Sequence, residues 1–394
     1  MNSNPHHPPL VAIACGGTGG HLFPGLAVAG ELRQLGCEVA LLISPKDVDQ
    51  QAVKPVTGME IHTLPAVGLQ NRNYFSFAAS FVKSLLAARR AFRRRRPQAV
   101  LAMGGFTSAP PIFAGKAVGA RTYLHESNTI PGKANRFLAR WVDAAFVGFP
   151  ETAARLKARQ VTATGTPVRP RFMSLSGEAY RAAAARLGLA ADRPIVLVVG
   201  GSQGASGLNA MVLSALPLLA AKNWQWLHLT GAHDFDKVKA AYAARNLTAV
   251  VRPFMAEMDL ALGVATAAVS RAGASSLAEL AAVRLPALLV PFPAAADNHQ
   301  WFNAQAYLRA GAARGLEQKD STPEQLAARL MELVEDSAAR AAIQAALGNW
   351  QAPQAAEKIA ACIAGRSGTS APVRAASPDV PGARRVNPKK LSAV

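Results

Sequence analysis

A glycine-rich turn near the start of the chain constrains its fold more than any other feature. The apolar run Leu10–Cys15 leads into four glycines within five positions, then His21, then an apolar stretch with helical spacing from about Pro24 to Leu35. This order predicts a buried strand, a tight loop and a helix. Glycines let a ligand approach main-chain N–H groups closely, and the N-terminus of a helix favours an anion. We therefore expect an α/β domain that binds an anionic or phosphorylated ligand.

The second half of the chain repeats this arrangement. The apolar run 194–199 precedes another glycine loop, residues 200–207, and a predicted helix. Strands that alternate with helices in both halves predict α/β architecture, with two Rossmann-like, doubly wound parallel-sheet domains facing a cleft. The predicted boundaries are a disordered N-terminus (1–9), an N-terminal domain (10–164), a linker (165–170), a C-terminal domain (171–350), a C-terminal helix (351–364) and a disordered basic tail (365–394).

Size and composition fit this division. A chain of 394 residues is too long for one ordinary core, and half of the residues are hydrophobic. The three cysteines form neither a paired framework nor a metal-ligand cluster, which is typical of a reducing compartment. The first ten residues lack the basic and apolar regions of a signal peptide, and no segment is predicted to span a membrane.

The formal net charge of +19 is concentrated in two places. Residues 83–96 carry seven positive charges and no negative one, and residues 366–394 carry six positive charges and one negative. Nucleic acid, an anionic membrane surface and acidic small molecules are the partners that suit such a chain. Nucleic acid is the least favoured of the three, because the basic segments lack interleaved aromatic residues and a known binding motif.

Neither glycine loop has the fingerprint of a dinucleotide or nucleoside triphosphate site. Counted from Gly17, the dinucleotide pattern requires a glycine where Leu22 stands, and the second predicted strand ends at Ser44 without an acidic residue. A Walker A motif requires Gly-Lys-Ser/Thr, which follows neither loop. The remaining prediction is a cleft for a phosphate or a sugar nucleotide, with one glycine loop from each domain.

Two further segments favour a sugar nucleotide. Residues 270–280 (SRAGASSLAEL) follow a predicted strand and begin a helix with small residues, whose N–H groups suit a diphosphate. The carboxylate of Glu279 in this segment can accept hydrogen bonds from both ribose hydroxyls. Asp297, Gln300 and Asn303 then follow at three-residue spacing, so they share one helix face. Amides both donate and accept hydrogen bonds, as sugar hydroxyls require.

Seven segments in this order resemble the MurG family, the UDP-N-acetylglucosamine:N-acetylmuramyl-(pentapeptide) pyrophosphoryl-undecaprenol N-acetylglucosaminyltransferases of bacterial cell-wall synthesis. The resemblance extends from about residue 10 to 360 and implies the GT-B fold, with a last helix that crosses back to the first domain. The chain has Ser127 and Thr166 where the family commonly has Gln and Asn. The segments are GGTGGHLFPGLAVA, MGGFTSAP, HESNTIPGKAN, GTPVR, GGSQGA, SRAGASSLAEL and PFPAAADNHQWFNA.

The resemblance implies that the C-terminal domain holds most of the donor, UDP-N-acetylglucosamine. Ser202 would contact the diphosphate, Arg169 would lie near the nucleotide, the main chain of Met255 would read the uracil edge, and Glu279 would bind the ribose. The other implied contacts are Ala274, Ser275, Ser276, Leu277 and Ala278 for phosphate and sugar, Gln300 and Asn303 for the N-acetylglucosamine hydroxyls, and Thr18, Gly19, Gly20 and Asn128, which would close over the donor sugar and the acceptor.

The implied reaction is a single inverting displacement, in which the C4 hydroxyl of a lipid-linked muramyl sugar attacks C1 of N-acetylglucosamine. It needs one base and a stabilised diphosphate leaving group. We expect His21 to be the base because its ordinary pKa suits proton transfer near neutrality, with Glu126 and His125 in reserve. A structural or acceptor-binding role for His21 stays open. Helix N-termini, loop N–H groups and Arg169 would stabilise the diphosphate, and no metal or cofactor is expected.

A lipid-linked acceptor gives the basic helix predicted from Tyr74 to Arg96 a role. Its apolar stripe and terminal arginines suit docking on an anionic membrane, although part of the stripe must pack on the sheet. The implied location is peripheral, on the cytoplasmic face of the cell inner membrane, with other cell-wall synthesis and division proteins as further partners. The predicted membrane contacts are Tyr74, Phe75, Phe77, Phe81, Lys83, Arg89 and Arg90.

Two alternatives to this function stay open at the level of the sequence. A UDP-N-acetylglucosamine 2-epimerase, or another glycolipid glycosyltransferase, would share the fold and the donor. A nucleic-acid-binding protein would account for the positive charge, although no motif supports it.

Overall fold

Two parallel α/β domains make up the part of the chain that the computed structural model describes, residues 8–66, 74–201 and 204–366. The predictions for residues 1–7, Ser202, the side chain of Tyr74 and residues 367–394 lie outside the described residues. The strands of the first domain are β1 (Leu10–Ala14), β2 (Glu38–Ile43), β3 (Glu60–Thr63), β4 (Ala99–Ala102), β5 (Arg121–Glu126), β6 (Ala144–Val147) and β7 (Val161–Ala163). Those of the second are β8 (Ile195–Val199), β9 (Gln225–Leu229), β10 (Ala249–Arg252), β11 (Ala267–Ser270), β12 (Ala287–Leu289) and β13 (Arg314–Gly315).

Both sheets are doubly wound, which confirms the predicted fold class. The first has the order β3-β2-β1-β4-β5-β6-β7 and the second the order β10-β9-β8-β11-β12-β13, with every neighbouring pair parallel. The direction of winding reverses between β1 and β4 and between β8 and β11. Ligands of such sheets bind in the crevice beyond the strand ends at this reversal. Both glycine loops follow strands at these positions.

Helices cover both faces of each sheet. In the first domain they are α1 (Gly19–Gln34), α2 (Asp47–Val53), α3 (Tyr74–Arg94), α4 (Ala109–Ala117) and α5 (Lys133–Leu138). The later helices are α6 (Gly177–Leu187), α7 (Ser206–Leu219), α8 (Phe235–Ala243), α9 (Met258–Val264), α10 (Ala274–Ala282), α11 (His299–Arg309), α12 (Pro323–Glu335), α13 (Ser337–Gly348) and α14 (Ala355–Ile363). Short 3-10 helices span Pro150–Arg155 and Ala296–Asn298.

The strands β1, β4 and β8 are apolar along their whole length because both faces of the sheet are buried. All residues of β1, β4 and β8 are buried, as expected of parallel sheets sandwiched between helices. One face of the first sheet packs against α1 and α14, and the other packs against α3 and α4. Ile359 and Ile363 of α14 belong to the apolar core of the first domain. The last helix therefore packs on the first domain, although it follows the second in the chain.

The first helix begins earlier than its sequence indicates. Proline usually marks the first turn of a helix, so the pattern predicts a start near Pro24. In the structure α1 begins at Gly19 and Pro24 lies inside it. His21 is therefore in the first turn of a helix and not in the preceding loop. Gly19 and Gly20 precede His21 in this turn and have no side chains, so a ligand in the cleft can approach the turn closely.

Candidate active site

The N-termini of two helices from different domains meet across the cleft. Helix α1 follows the first glycine loop, and α10 follows β11 in the second domain. The Ser275 hydroxyl in the first turn of α10 donates to the Gly20 carbonyl in the first turn of α1, at 2.9 Å. The first N–H groups of each helix lack partners within the helix, and the N-terminus carries a partial positive charge. The cleft therefore has a favourable potential for an anion between its walls.

His21 lies against the second glycine turn of the first domain. A Cβ atom on Gly104 would stand 2.8 Å from Cε1 of the imidazole, and one on Gly105 would stand 3.1 Å from Cδ2. The glycines of the MGGFTS segment therefore make room for this ring. Burial lowers the pKa of His21, while the negative charge of Glu126 opposes that shift and nearby His299 adds to it. The imidazole is thus neutral near pH 7, the form that accepts a proton.

Glu126 is an anchor for the loop that follows β5. Its buried carboxylate accepts hydrogen bonds from the main chain and side chain of Asn128, at 2.9 and 3.0 Å. Its second oxygen accepts from the main chain of Gly132 and the amide of Asn135, both at 2.9 Å. Four donors therefore hold this carboxylate, which was predicted as a reserve base.

His125 points to the other side of the same strand. Its Nε2 lies 3.1 Å from the carbonyl of Gly165, and its Nδ1 lies 3.3 Å from the Ser127 hydroxyl. A carbonyl only accepts, so Nε2 carries the proton and Nδ1 accepts from Ser127. Burial lowers the pKa of His125 to about 4. This second reserve base is thus a buried, neutral group whose two nitrogens are both engaged by the protein.

Two residues without an assigned role in the sequence hold the first glycine loop. Oδ2 of buried Asp49 accepts from the main chain of Gly17 at 2.6 Å and from the main chain and hydroxyl of Ser44 at 3.1 and 2.5 Å. The ammonium of Lys46 donates to the Gly17 carbonyl at 3.0 Å and lies 5.2 Å from the ring of Phe106. The loop is therefore fixed from two sides. The signal in the sequence is weak: both residues lie within a short distance after the end of β2, and Asp49 is in the helix that follows.

Glu279 and Arg169 form the charged part of the second domain's wall. Burial raises the pKa of Glu279 to about 7, against the attraction of Arg169 and Arg171. The guanidinium of Arg169 lies 4.4 Å from the ring centre of Phe23 in the first domain and 5.2 Å from that of Phe172. Arg169, in the segment between β7 and α6, thus touches an aromatic ring of the first domain while its charge acts on Glu279.

The other residues predicted to contact the donor differ in the groups that they leave free for a ligand. Met255 is buried, and within the described ranges its N–H and C=O groups make no hydrogen bond. Leu277 is part of the core; its N–H donates to the Gly273 carbonyl at 2.9 Å and its carbonyl accepts from the Tyr307 hydroxyl at 3.2 Å, so both its side chain and its main chain are engaged by the protein. Ala274 and Ala278 line a cavity of about 300 Å³ beside the segment between β7 and α6. Ser276 lies in the first turn of α10, and Thr18 precedes α1 as its N-cap.

The two predicted sugar-binding amides differ in what they have available. Oε1 of Gln300 accepts from the main chains of Ala272 and Phe292, at 3.2 and 2.9 Å, and its NH₂ group makes no bond to any described residue. Asn303 is fully buried and its amide makes four hydrogen bonds to the protein. Gln300 therefore has free donors, whereas the side chain of Asn303 is saturated in this arrangement. Asp297 pairs with Arg136 of the first domain at 2.7 Å.

Arg271, which the sequence did not single out, is a buried cation directly after β11. Its guanidinium donates to the carbonyls of Val290 and Pro291 at 3.1 and 3.2 Å, and to Oε1 of Gln318 at 2.6 Å. Burial lowers its pKa to about 10, so it stays charged. All three acceptors are neutral, and no carboxylate pairs with Arg271 in the described part of the chain. Its charge is therefore uncompensated close to the N-terminus of α10.

An exposed aromatic patch lies on the outside of the first domain. Phe75, Val82 and Leu86 of α3 are 91%, 52% and 56% exposed, while Phe77 and Phe81 are partly buried. Phe137 and Trp141 are about half exposed and both meet the ring of Phe113 on α4, which packs beside α3. The cations on this helix, all exposed, include Lys83, Arg89 and Arg90. We call Phe75, Val82, Leu86, Phe137 and Trp141 together the aromatic patch, after its three aromatic members.

Comparison with known proteins identifies the family of the chain. The glycosyltransferase family 28 N-terminal domain matches residues 11–147, and the glycosyltransferase family 28 C-terminal domain matches residues 195–359. The UDP-N-acetylglucosamine--N-acetylmuramyl-(pentapeptide) pyrophosphoryl-undecaprenol N-acetylglucosamine transferase of Anaeromyxobacter sp. (strain Fw109-5) is 39% identical over 355 residues, 88% of this chain and 91% of that protein. This chain belongs to the MurG family of glycosyltransferases. The transferase of the same name from Syntrophus aciditrophicus (strain SB) is 35% identical over 90% of this chain and 98% of that protein.

Solved structures agree with membership of the MurG family. The crystal structure of MurG from Acinetobacter baumannii has a TM-score of 0.69 and 27% identity, covering 91% of this chain and all of that one. A putative UDP-N-acetylglucosamine 2-epimerase from Listeria monocytogenes has a TM-score of 0.66 at only 14% identity, which is a likeness of fold alone. Within the described ranges, no helix combines the length and apolar composition needed to cross a membrane.

Proposed function

We propose that this MurG-family chain transfers N-acetylglucosamine from UDP-N-acetylglucosamine to the C4 hydroxyl of the lipid-linked N-acetylmuramyl-pentapeptide, lipid I, to give lipid II. The observation that carries the proposal is the 35–39% identity, over nearly the whole chain, to transferases that bear this name. The likeness to a 2-epimerase is one of fold only, and a nucleic-acid-binding function finds no support in these relatives. The transferase is therefore favoured over both alternatives.

The donor binds mainly to the second domain. Its diphosphate lies at the N-terminus of α10 and the glycine loop 200–207, where N–H groups, the helix dipole and the buried charge of Arg271 attract an anion. The ribose hydroxyls donate to Glu279, and the main chain of Met255 pairs with the uracil edge. The free NH₂ group of Gln300 donates to a hydroxyl of the sugar. Ser202 remains a proposed contact of the diphosphate, on the resemblance alone.

The acceptor binds to the first domain, with its diphosphate at the N-terminus of α1. Gly19 and Gly20 present N–H groups there, Thr18 offers its hydroxyl, and Lys46 adds a positive charge at the rim of the loop. Asp49 accepts a hydrogen bond from the Gly17 N–H, so the loop is preorganised before the acceptor binds. This arrangement brings the muramyl C4 hydroxyl toward His21 and the donor sugar.

His21 is the proposed base of the displacement. Its depressed pKa keeps the imidazole unprotonated near pH 7, and the glycines beside it leave the ring room at the cleft. It accepts the proton of the C4 hydroxyl as that oxygen attacks C1 of N-acetylglucosamine from the face opposite UDP. Glu126 and His125 are less suited to be the base, because their acceptor atoms are engaged by the protein. The developing charge on the diphosphate is stabilised by helix N-termini and arginines.

The aromatic patch is the proposed contact with the membrane that carries the lipid acceptor. Exposed apolar rings beside cations suit the boundary between lipid headgroups and acyl chains. The protein would then work as a peripheral protein at the cytoplasmic face of the cell inner membrane. Its place in peptidoglycan synthesis connects it to cell shape, cell division and the proteins of those processes.

Vesicle binding tests the membrane contact. We expect Phe75→Ser with Leu86→Ser to reduce co-sedimentation with anionic phospholipid vesicles at least tenfold. Leu218→Ser is the matched control, because Leu218 is a similarly exposed apolar residue on the second domain. Equal loss in the control and in the patch variant would contradict the proposed surface.

Product analysis separates the transferase from the epimerase. UDP-N-acetylglucosamine incubated with a lipid I analogue is expected to give a lipid-linked disaccharide, and the donor incubated alone is expected to stay unchanged. Conversion of the donor alone to UDP-N-acetylmannosamine would contradict the proposal.

A further inference from the structure

A buried cluster of amide and hydroxyl groups joins the two domains; we call Asn128, Thr129 and Asn303 the interdomain clasp. Oδ1 of Asn303 accepts from the main chain and the hydroxyl of Thr129, at 2.9 and 3.0 Å. Its Nδ2 donates to Oδ1 of Asn128 at 3.0 Å and to the Ala272 carbonyl at 3.1 Å. A carboxamide can accept two hydrogen bonds and donate two, so its capacity is filled. Asn303 and Thr129 are both buried.

The first-domain residues of the clasp are held in place by hydrogen bonds within their own domain. The Thr152 hydroxyl shares its one proton between the carbonyls of Asn128 and Thr129, at 2.9 and 3.2 Å. Arg155 donates to the Thr129 carbonyl at 3.1 Å. Glu126 holds the same loop at Asn128, as described above. Thr129 therefore cannot shift toward or away from the second domain without breaking several bonds within its own domain.

The second-domain half of the clasp is connected to the donor site. Asn303 lies on α11 one turn after Gln300, and both side chains bind Ala272, one through its carbonyl and the other through its N–H. Ala272 immediately precedes the turn into α10, whose N-terminus faces Gly20. A movement of Thr129 relative to Asn303 would therefore displace the two segments proposed to hold the sugar and the diphosphate.

We propose that Thr129 is a positioning residue: through Asn303 it fixes the domain closure at which the acceptor loop and the donor-binding helices are in register. This inference rests on the proposed function. Thr129 suits the task because its N–H and its hydroxyl converge on one oxygen. In this arrangement, Asn303 acts on the donor site through the geometry of Ala272 and α10.

Kinetics of Thr129→Val test the clasp, because valine keeps the shape and the N–H but lacks the hydroxyl donor. Loss of one neutral hydrogen bond changes an equilibrium by about fivefold. We expect kcat/KM for the donor and for the acceptor to fall by the same factor of about five, and Thr129→Ser to restore both. The matched control is Thr122→Val, since buried Thr122 bonds to Asp143 at 3.0 Å within the first domain. If Thr129→Val has no larger kinetic effect than Thr122→Val, the inference is wrong.

Small-angle X-ray scattering tests the clasp without any reaction. Unliganded wild type is expected to scatter as the closed form, and Thr129→Val combined with Asn303→Leu is expected to have a larger radius of gyration. Identical curves at equal folded content would overturn the clasp even if the protein transfers N-acetylglucosamine. A larger radius for the double variant, together with absence of transferase activity in wild type, would support the clasp and contradict the proposed function, so the two failures are distinguishable.

Discussion

The hydroxyl of Ser275 donates a hydrogen bond to the carbonyl of Gly20, 2.9 Å away and 255 residues earlier in the chain. In a regular helix that carbonyl would accept from the N–H group four residues later. The residue at that position is Pro24, which has no N–H group. The proline inside α1 therefore leaves an acceptor free at the cleft, and the second domain uses it.

Replacing Pro24 by alanine should weaken the hydrogen bond between Ser275 and Gly20 that joins the two domains. The new N–H group would compete with Ser275 for the Gly20 carbonyl, so we expect kcat/KM to fall by about threefold, the effect of weakening one neutral hydrogen bond. Ser275→Ala should give a similar loss. The matched control is Pro217→Ala in α7, which also removes a proline from inside a helix. Steady-state kinetics in which the two proline variants behave alike would contradict the role of the free carbonyl.

Donor affinity should depend on pH through Glu279. With a pKa of about 7, this carboxyl is mostly ionised at pH 8 and mostly protonated at pH 6. Only the ionised form can accept from both ribose hydroxyls. The Kd for UDP-N-acetylglucosamine should therefore rise by up to about tenfold when the pH is lowered from 8 to 6. Calorimetric titration of wild type and Glu279→Gln checks this. The variant should bind more weakly at pH 8 and show little change with pH; a parallel pH dependence in both proteins would exclude Glu279 as the cause.

The same group should limit the stability of the unliganded protein at high pH. The folded state binds the Glu279 proton more tightly than the unfolded state, whose pKa is near 4.5. Stability is therefore lost as the pH rises from 4.5 through 7, by an amount of the order of 3 kcal/mol. Glu279→Gln should melt at a higher temperature than wild type at pH 8, with the difference vanishing near pH 4.5. Thermal melts at both pH values measure it, and a less stable variant at pH 8 would contradict the expected sign.

Asp49→Ala should weaken the acceptor site and leave the donor site intact. The change leaves the Gly17 N–H and two Ser44 donors without their charged acceptor, which costs about 1–3 kcal/mol in stability. Because these donors belong to the first domain, KM for a lipid I analogue should rise several-fold while donor affinity stays within twofold of wild type. A fall in donor affinity as large as the rise in acceptor KM would show that the glycine loop does not act on one substrate only.

The fold followed from local patterns, because each glycine loop lies between a buried strand and a helix in both halves of the chain. Contacts between distant residues could not be predicted in this way. Asp49 binds Gly17 from 32 positions away, and Thr129 meets Asn303 across 174 positions. Arg271 stands inside a recognised segment, but its burial among neutral acceptors depends on how β11, β12 and the segment after them pack. Asn303 is polar and lies on the expected helix face, but the sequence did not indicate that its amide hydrogen-bonds to Thr129 and Asn128 of the first domain.

Transfer of labelled N-acetylglucosamine from UDP-N-acetylglucosamine to a lipid I analogue, with wild type and His21→Ala side by side, tests the central claim most directly. We expect wild type to form the lipid-linked disaccharide and His21→Ala to lose turnover by about 10²–10⁴-fold, the usual contribution of a general base. Donor affinity measured by calorimetry should be retained, because the donor binds mainly to the second domain. Near-normal turnover by His21→Ala would contradict the assignment of the base, and absence of transfer by wild type would contradict the account as a whole.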